Sequence, residues 1–229
     1  MKKPSYILLS IFLILFGIFF ATEIWSSLSH HINNLTRWFG NHRRSYYPWI
    51  LWFTLGAIVF PIMNRFFHQK IKNIDITKVF THELSHAITA IITFRKVTSF
   101  KATEREGVIY SSGSEKTRFL VTLAPYCFLI YTIPLLMFRC LVETSMLPII
   151  DVIIGFTFGL HAVCIKEQTG NHQPDINRHP LFFSYIYIFT ILLFDLCLIL
   201  LSYEPSLNIF YAFKTMGVDL WNDIALLWR

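Results

Sequence analysis

Val79-Phe80-Thr81-His82-Glu83-Leu84-Ser85-His86-Ala87-Ile88-Thr89-Ala90-Ile91-Ile92-Thr93-Phe94 is an apolar run with three ionisable side chains, His82, Glu83 and His86, set inside it. A segment placed in a bilayer must satisfy its own backbone groups, so this run predicts a membrane helix. Residues four apart on a helix share a face, so both imidazoles can reach one metal ion. Glu83 lies about 100° round, where it can touch a water on that ion without becoming a ligand. Three ionisable groups inside a span are costly unless a metal or an aqueous cavity uses them.

The rest of the chain supports a membrane setting. Of 229 residues, 54% are apolar and only 15% charged, with 23 Phe and a mean hydropathy of +0.50. A soluble domain carries about a quarter charged residues, so a soluble fold is excluded. With 9 Gly and 9 Pro, collagen-like and disordered chains are excluded as well. The net charge of +6 comes from Lys and Arg scattered between apolar runs, which suits lipid headgroups and not nucleic acid. Cys127, Cys140, Cys164 and Cys197 lie in or at the edge of apolar segments without a CxxC pair, and read as small packing residues.

Working outward from the central run, six spans are expected, each using about 20 residues: Tyr6 to Ala21, Pro48 to Met63, Val79 to Phe94, Phe119 to Val142, Met146 to Ile165 and Leu181 to Ser202. The first follows Lys2 and Lys3 but lacks a small-residue cleavage site, so it reads as a retained span. The connection Arg95 to Arg118 has strand-like segments on either side of Arg105-Glu106-Gly107 and predicts a β-hairpin. The fold class is an all-α multi-pass membrane protein. It divides into an N-terminal transmembrane pair with a basic connector (1–78), a core (79–202) and an interfacial tail (203–229). Six spans would put 9 of the 20 basic residues on one face and 11 on the other, which leaves orientation open.

Thr81-His82-Glu83-Leu84-Ser85-His86 contains the HExxH pattern of metal-assisted hydrolysis, in which imidazoles hold Zn²⁺ and a carboxylate takes a proton from water. A catalytic zinc needs a third protein ligand. The candidates downstream are Glu104, Glu106, Glu115, Asp151, His161, Asp175 and Asp195. Asp175 is the best placed. It follows Pro174 where a helix would begin, in a short polar stretch that suits a re-entrant or broken element dipping toward the metal.

Three features together resemble the site-2-type intramembrane zinc metalloproteases, the peptidase M50 group. They are His82-Glu83-Leu84-Ser85-His86 in a membrane helix, Ala124-Pro125 at the opening of the next span, and the polar stretch Asn171-His172-Gln173-Pro174-Asp175. The resemblance covers roughly Lys78 to Ser202. It departs from the family pattern at Ser85 and Ile176, where Gly is usual, and in its single Pro174. It implies zinc held by His82, His86 and Asp175, with Glu83 as general base. It also implies a three-helix catalytic core and a cytoplasmic hairpin.

The expected partner is then a membrane-protein substrate whose transmembrane segment unwinds near the site, within the lipid bilayer. His161 is open to three roles: bonding substrate, orienting Asp175 or replacing it as ligand. A satisfied buried histidine is an equal reading. Asn171 would hold substrate backbone or cap a turn. Two rival functions stand beside this one. The first is another membrane-embedded HExxH peptidase of quality-control type, with a downstream Glu as third ligand; the second is a catalytically inactive metal-binding scaffold.

Overall fold

The computed structural model describes residues 3–40, 48–67, 72–103, 107–170 and 173–203. Among the described residues, four helices are long and apolar enough to cross a membrane, spanning Ser5–Arg37, Trp49–Phe66, Thr144–Gln168 and Leu181–Ser202. They belong to α1 (Lys3–Gly40), α2 (Trp49–Phe67), α6 (Leu147–Gln168) and α8 (Leu181–Ser202). Between α2 and α6 lie α3 (Lys72–Ile92), strands β1 (Lys96–Ala102) and β2 (Gly107–Ser112), α4 (Arg118–Leu123) and α5 (Thr132–Arg139); α7 (Pro174–Asn177) is a single turn between α6 and α8. The chain is an integral, multi-pass membrane protein. Lipid-facing positions such as Ile7, Leu8, Ile11 and Leu15 of α1 are exposed accordingly.

The six-span expectation is corrected in three places. The first apolar run does not end near Ala21: α1 continues to Gly40, and its 38 residues make a rod of about 57 Å. The expected span Phe119 to Val142 is broken. Pro125 lacks an N–H and sits in a 3-10 turn, Ala124–Tyr126, after which the chain is unwound until α5. Ala124-Pro125 therefore lies within this element and does not open it. The unwound backbone is enclosed in protein, since Tyr126, Cys127, Leu129 and Ile130 are all buried, and that is the condition for irregular chain at membrane depth.

The third correction concerns α3, whose two ends lie at the same end of the bundle. Lys78 Nζ meets Glu167 Oε2 at 2.8 Å, near the C-terminus of α6, and Asn64 of α2 reaches the same carboxylate at 2.7 Å. At the other end of α3, Arg95 donates to Ser114 O, just before α4 begins. His179 binds Tyr6 of α1 (3.2 Å) and Thr122 of α4 (2.9 Å), so these elements meet at that end too. Six spans would have put the N-terminus and the 64–78 connector at the opposite end from the hairpin. Among the described residues, Lys3, Arg65, Lys72, Lys78, Arg95, Lys96, Lys101, Lys116, Arg118, Lys166 and Arg178 stand at this end, and Arg37 and Arg139 at the other.

Two helix pairs frame the molecule. On α2 and α6, Gly56, Gly155 and Gly159 bring backbones so close that a Cβ at any of them would overlap backbone of the partner helix: Val152 O, Phe53 O or Ala57 O. On α1 and α8, Thr190 Oγ1 donates to Leu13 O at 3.0 Å across the interface. The hairpin is antiparallel, with Lys96 opposite Ser112 and Ala102 opposite Gly107, and a bulge between Val97 and Ser99. The four cysteines are free, and Cys127, Cys164 and Cys197 are buried. The tail from 204 to 229 lies outside the described residues.

Candidate metal centre

Helix α3 carries His82, Glu83 and His86 one turn apart and ends firmly. Phe94 takes a left-handed φ of 57°, its N–H bonds Ile91 O at 3.0 Å, and Arg95 N–H bonds Ala90 O at 2.8 Å. These two bonds form the reversal usually built around glycine, and a non-glycine residue in this conformation costs roughly 1–2 kcal/mol. The polar groups of the motif are satisfied locally. Ser85 Oγ donates to Thr81 O (2.8 Å), and Thr81 Oγ1 meets Tyr131 OH at 3.4 Å.

Both imidazoles are fixed from behind. His82 Nδ1 lies 3.0 Å from Gln168 Oε1, and His86 Nδ1 lies 2.6 Å from Val121 O. Each partner is an acceptor, so each Nδ1 carries the proton and each Nε2 keeps a lone pair. Those two Nε2 atoms face Asp175 Oδ2, at 3.9 Å from His82 and 3.3 Å from His86.

Asp175 arrives from the far side of the chain on α7. Pro174 starts that turn, where its missing N–H costs nothing, and Ser184 of α8 ties it down by donating to Ile176 O at 3.0 Å. Arg178 Nη1 lies 3.6 Å from Asp175 Oδ1, the oxygen turned away from the histidines. One residue further on, burial pushes the His179 imidazole below its ordinary value, and the Arg118 and Arg178 guanidiniums add to the effect. His179 bridges Tyr6 and Thr122 through its two ring nitrogens.

The donor set fits zinc. One ligand atom from each of His82, His86 and Asp175 can be chosen so that all lie within 4.8 Å of one another, and among the described residues no other such group of His, Cys, Asp or Glu occurs. Tetrahedral ligands at about 2.0–2.1 Å from zinc stand about 3.3 Å apart, so these atoms need only small adjustments to close on one ion. Glu83 is only 7% exposed and lines, with His86, Asp175, Arg178 and β2, a cavity of about 640 Å³. At Gly107, where β2 begins, a Cβ would collide with Glu83 Oε1. The glycine is what lets the hairpin rest on this carboxylate.

The other candidates are placed elsewhere. His161 is buried, its Nε2 lies 3.5 Å from the Tyr131 backbone N, and it is not in the group. Asp151 pairs with Arg139 at 2.7 Å, Asp195 is buried on α8, and the exposed Glu115 pairs with Arg118 at 3.0 Å. Glu104, Glu106 and Asn171 lie outside the described residues. The motif alone points to none of Gln168, Val121, Tyr126 or Gly107. All four meet the site through long-range folding.

Comparison with known proteins agrees with this architecture. The family model described as Peptidase M50B-like matches residues 47–166, more than half of the chain. The match takes in α2 through α5 and most of α6, and stops short of Asp175. No curated protein and no solved structure matches the chain.

Proposed function

The chain belongs to the Peptidase M50B-like family, a family of membrane-embedded metallopeptidases, and from that premise we propose that it is an intramembrane zinc endopeptidase cutting transmembrane or juxtamembrane segments of other proteins. The observation that carries the proposal is the convergence of His82, His86 and Asp175 beside Glu83 on a cavity under the hairpin. His82 and His86 would hold zinc through Nε2 and Asp175 through Oδ2. When bound, zinc supplies a Lewis acid for the scissile carbonyl and acidifies water beside it.

The chain's own groups do the rest. Glu83 takes a proton from the attacking water and passes it to the leaving amine nitrogen. Gln168 Oε1 and Val121 O hold the imidazoles in the ligating tautomer, and Arg178 keeps the second Asp175 oxygen in place. A substrate helix hides its carbonyls in its own hydrogen bonds and must unwind to be cut. Strand β2 lines the cavity with Glu83, so an extended segment added along the hairpin would pass the carboxylate. Among the described residues Lys and Arg gather at the site end, which supports a cytoplasmic placement of that end under the positive-inside rule.

The test is cleavage of single-span substrates by the purified protein in lipid, with and without a zinc chelator, alongside Glu83→Gln. Expected are one zinc per chain in both proteins, chelator-sensitive cleavage by the wild type, and a loss of turnover of about 10²–10⁴-fold in the variant. Undiminished turnover by Glu83→Gln, or cleavage that survives metal removal, would overturn the proposal.

A further inference from the structure

Tyr126 is fully buried, and its hydroxyl has no hydrogen-bond partner among the described residues. Buried hydroxyls are nearly always paired, so an unpaired one calls for an explanation. Its position supplies one. Tyr126 closes the 3-10 turn Ala124–Tyr126, and its ring meets the His82 ring edge-on with centroids 5.5 Å apart. The orphan donor therefore belongs to a ring packed on the His82 ligand, whereas Glu83, His86 and Asp175 line the cavity.

We infer that Tyr126 is a further catalytic residue, whose hydroxyl donates a hydrogen bond to the scissile carbonyl oxygen as that oxygen becomes negative. This rests on the peptidase reading above. When water adds to the carbonyl carbon, the C=O π pair moves onto oxygen, and the proton of the attacking water goes to Glu83. Tyr126 transfers nothing and stays protonated. A donor that is unpaired before the reaction has no ground-state bond to give up, so its hydrogen bond is realised when the negative charge forms, and it favours the transition state over bound substrate. The break in the helix at Pro125 thereby gains a purpose: it turns a tyrosine toward the ligands at a depth where an unbroken helix would run past.

Tyr126→Phe tests the inference. Expected are a drop in kcat of about 100-fold, the size seen when one oxyanion donor is removed, with KM within about twofold. Zinc content should be one per chain and the melting temperature of the metal-free protein unchanged or raised, because the lost hydroxyl made no bond. A tetrahedral phosphinate analogue should bind at least about tenfold more weakly to Tyr126→Phe than to wild type. Intact substrate should bind Glu83→Gln and Glu83→Gln/Tyr126→Phe equally. A kcat within threefold of wild type, or a loss accompanied by lower melting temperature or missing zinc, overturns the role of Tyr126 and leaves the peptidase reading intact. Absence of chelator-sensitive cleavage in the wild type overturns both.

Discussion

Helix α6 carries a cluster of ionisable groups near each end, and the two are built in opposite ways. Asp151 and Gln168 are about 25 Å apart along it. At the Asp151 end the polar groups close on each other: Arg139 Nε donates to Asp151 Oδ1 at 2.7 Å and Tyr203 OH to the same oxygen at 2.9 Å. The Arg139 guanidinium lies over the Tyr203 ring, which stacks on Trp49, and Trp49 Nε1 donates to His31. At the Gln168 end the bonds run outward from the ligands, to Gln168 and Val121, while the inward-facing Nε2 atoms and Asp175 Oδ2 converge on one another and the Tyr126 hydroxyl has no partner among the described residues. Buried charge signals function where it is left open, and architecture where it is closed.

Substitutions at the two ends should therefore separate metal chemistry from stability. Asp175→Ala gives the largest effect: zinc affinity falls by more than about 100-fold, beyond the loss produced by a residue standing behind a ligand, and cleavage disappears. Metal analysis after dialysis reads it, and retained zinc would mean that another residue is the third ligand. Asp151→Leu removes the carboxylate that Arg139 and Tyr203 share and lowers stability, by at most about 3–5 kcal/mol in denaturant titration, while zinc content and turnover per folded molecule stay at wild-type values. Joining Asp151→Leu with Arg139→Met removes both charges and should recover most of that stability. Smallest is Gln168→Ala, which frees the His82 ring and weakens zinc binding by about 10–100-fold without a shift in the melting temperature of the metal-free protein. Loss of zinc from Asp151→Leu would erase the distinction between the two ends.

What could be read from residues alone follows how local each signal is. His82, Glu83 and His86 need only one helix, and the hairpin needs two strand-like segments around a turn. Asp175 was legible as a polar residue after a proline between apolar runs, yet its distance to His86 is a product of α7 being tied to α8. The broken element was misread because apolarity over Phe119 to Val142 speaks of depth in the membrane and not of continuity, and Pro125 was the available warning. The placement of α3 was misread for a related reason. Its length and apolarity suit a span, but Lys78 meeting Glu167 is information held by α6. The close approach of α2 and α6 had a visible cue in the four-residue spacing of Gly155 and Gly159.

That contact has a mechanical consequence. A helix pair whose backbones touch through glycine has no compliant side-chain layer between its axes, so sliding it would drive carbonyl oxygens into Cα atoms. Helices α2 and α6 behave as one stiff mast that carries Gln168 at its tip and keeps His82 in register with it. The yielding parts must be those held by side chains: α1 against α8, and the hairpin over Glu83. On the proposed function, a substrate helix would enter from their side, with the mast as the fixed frame.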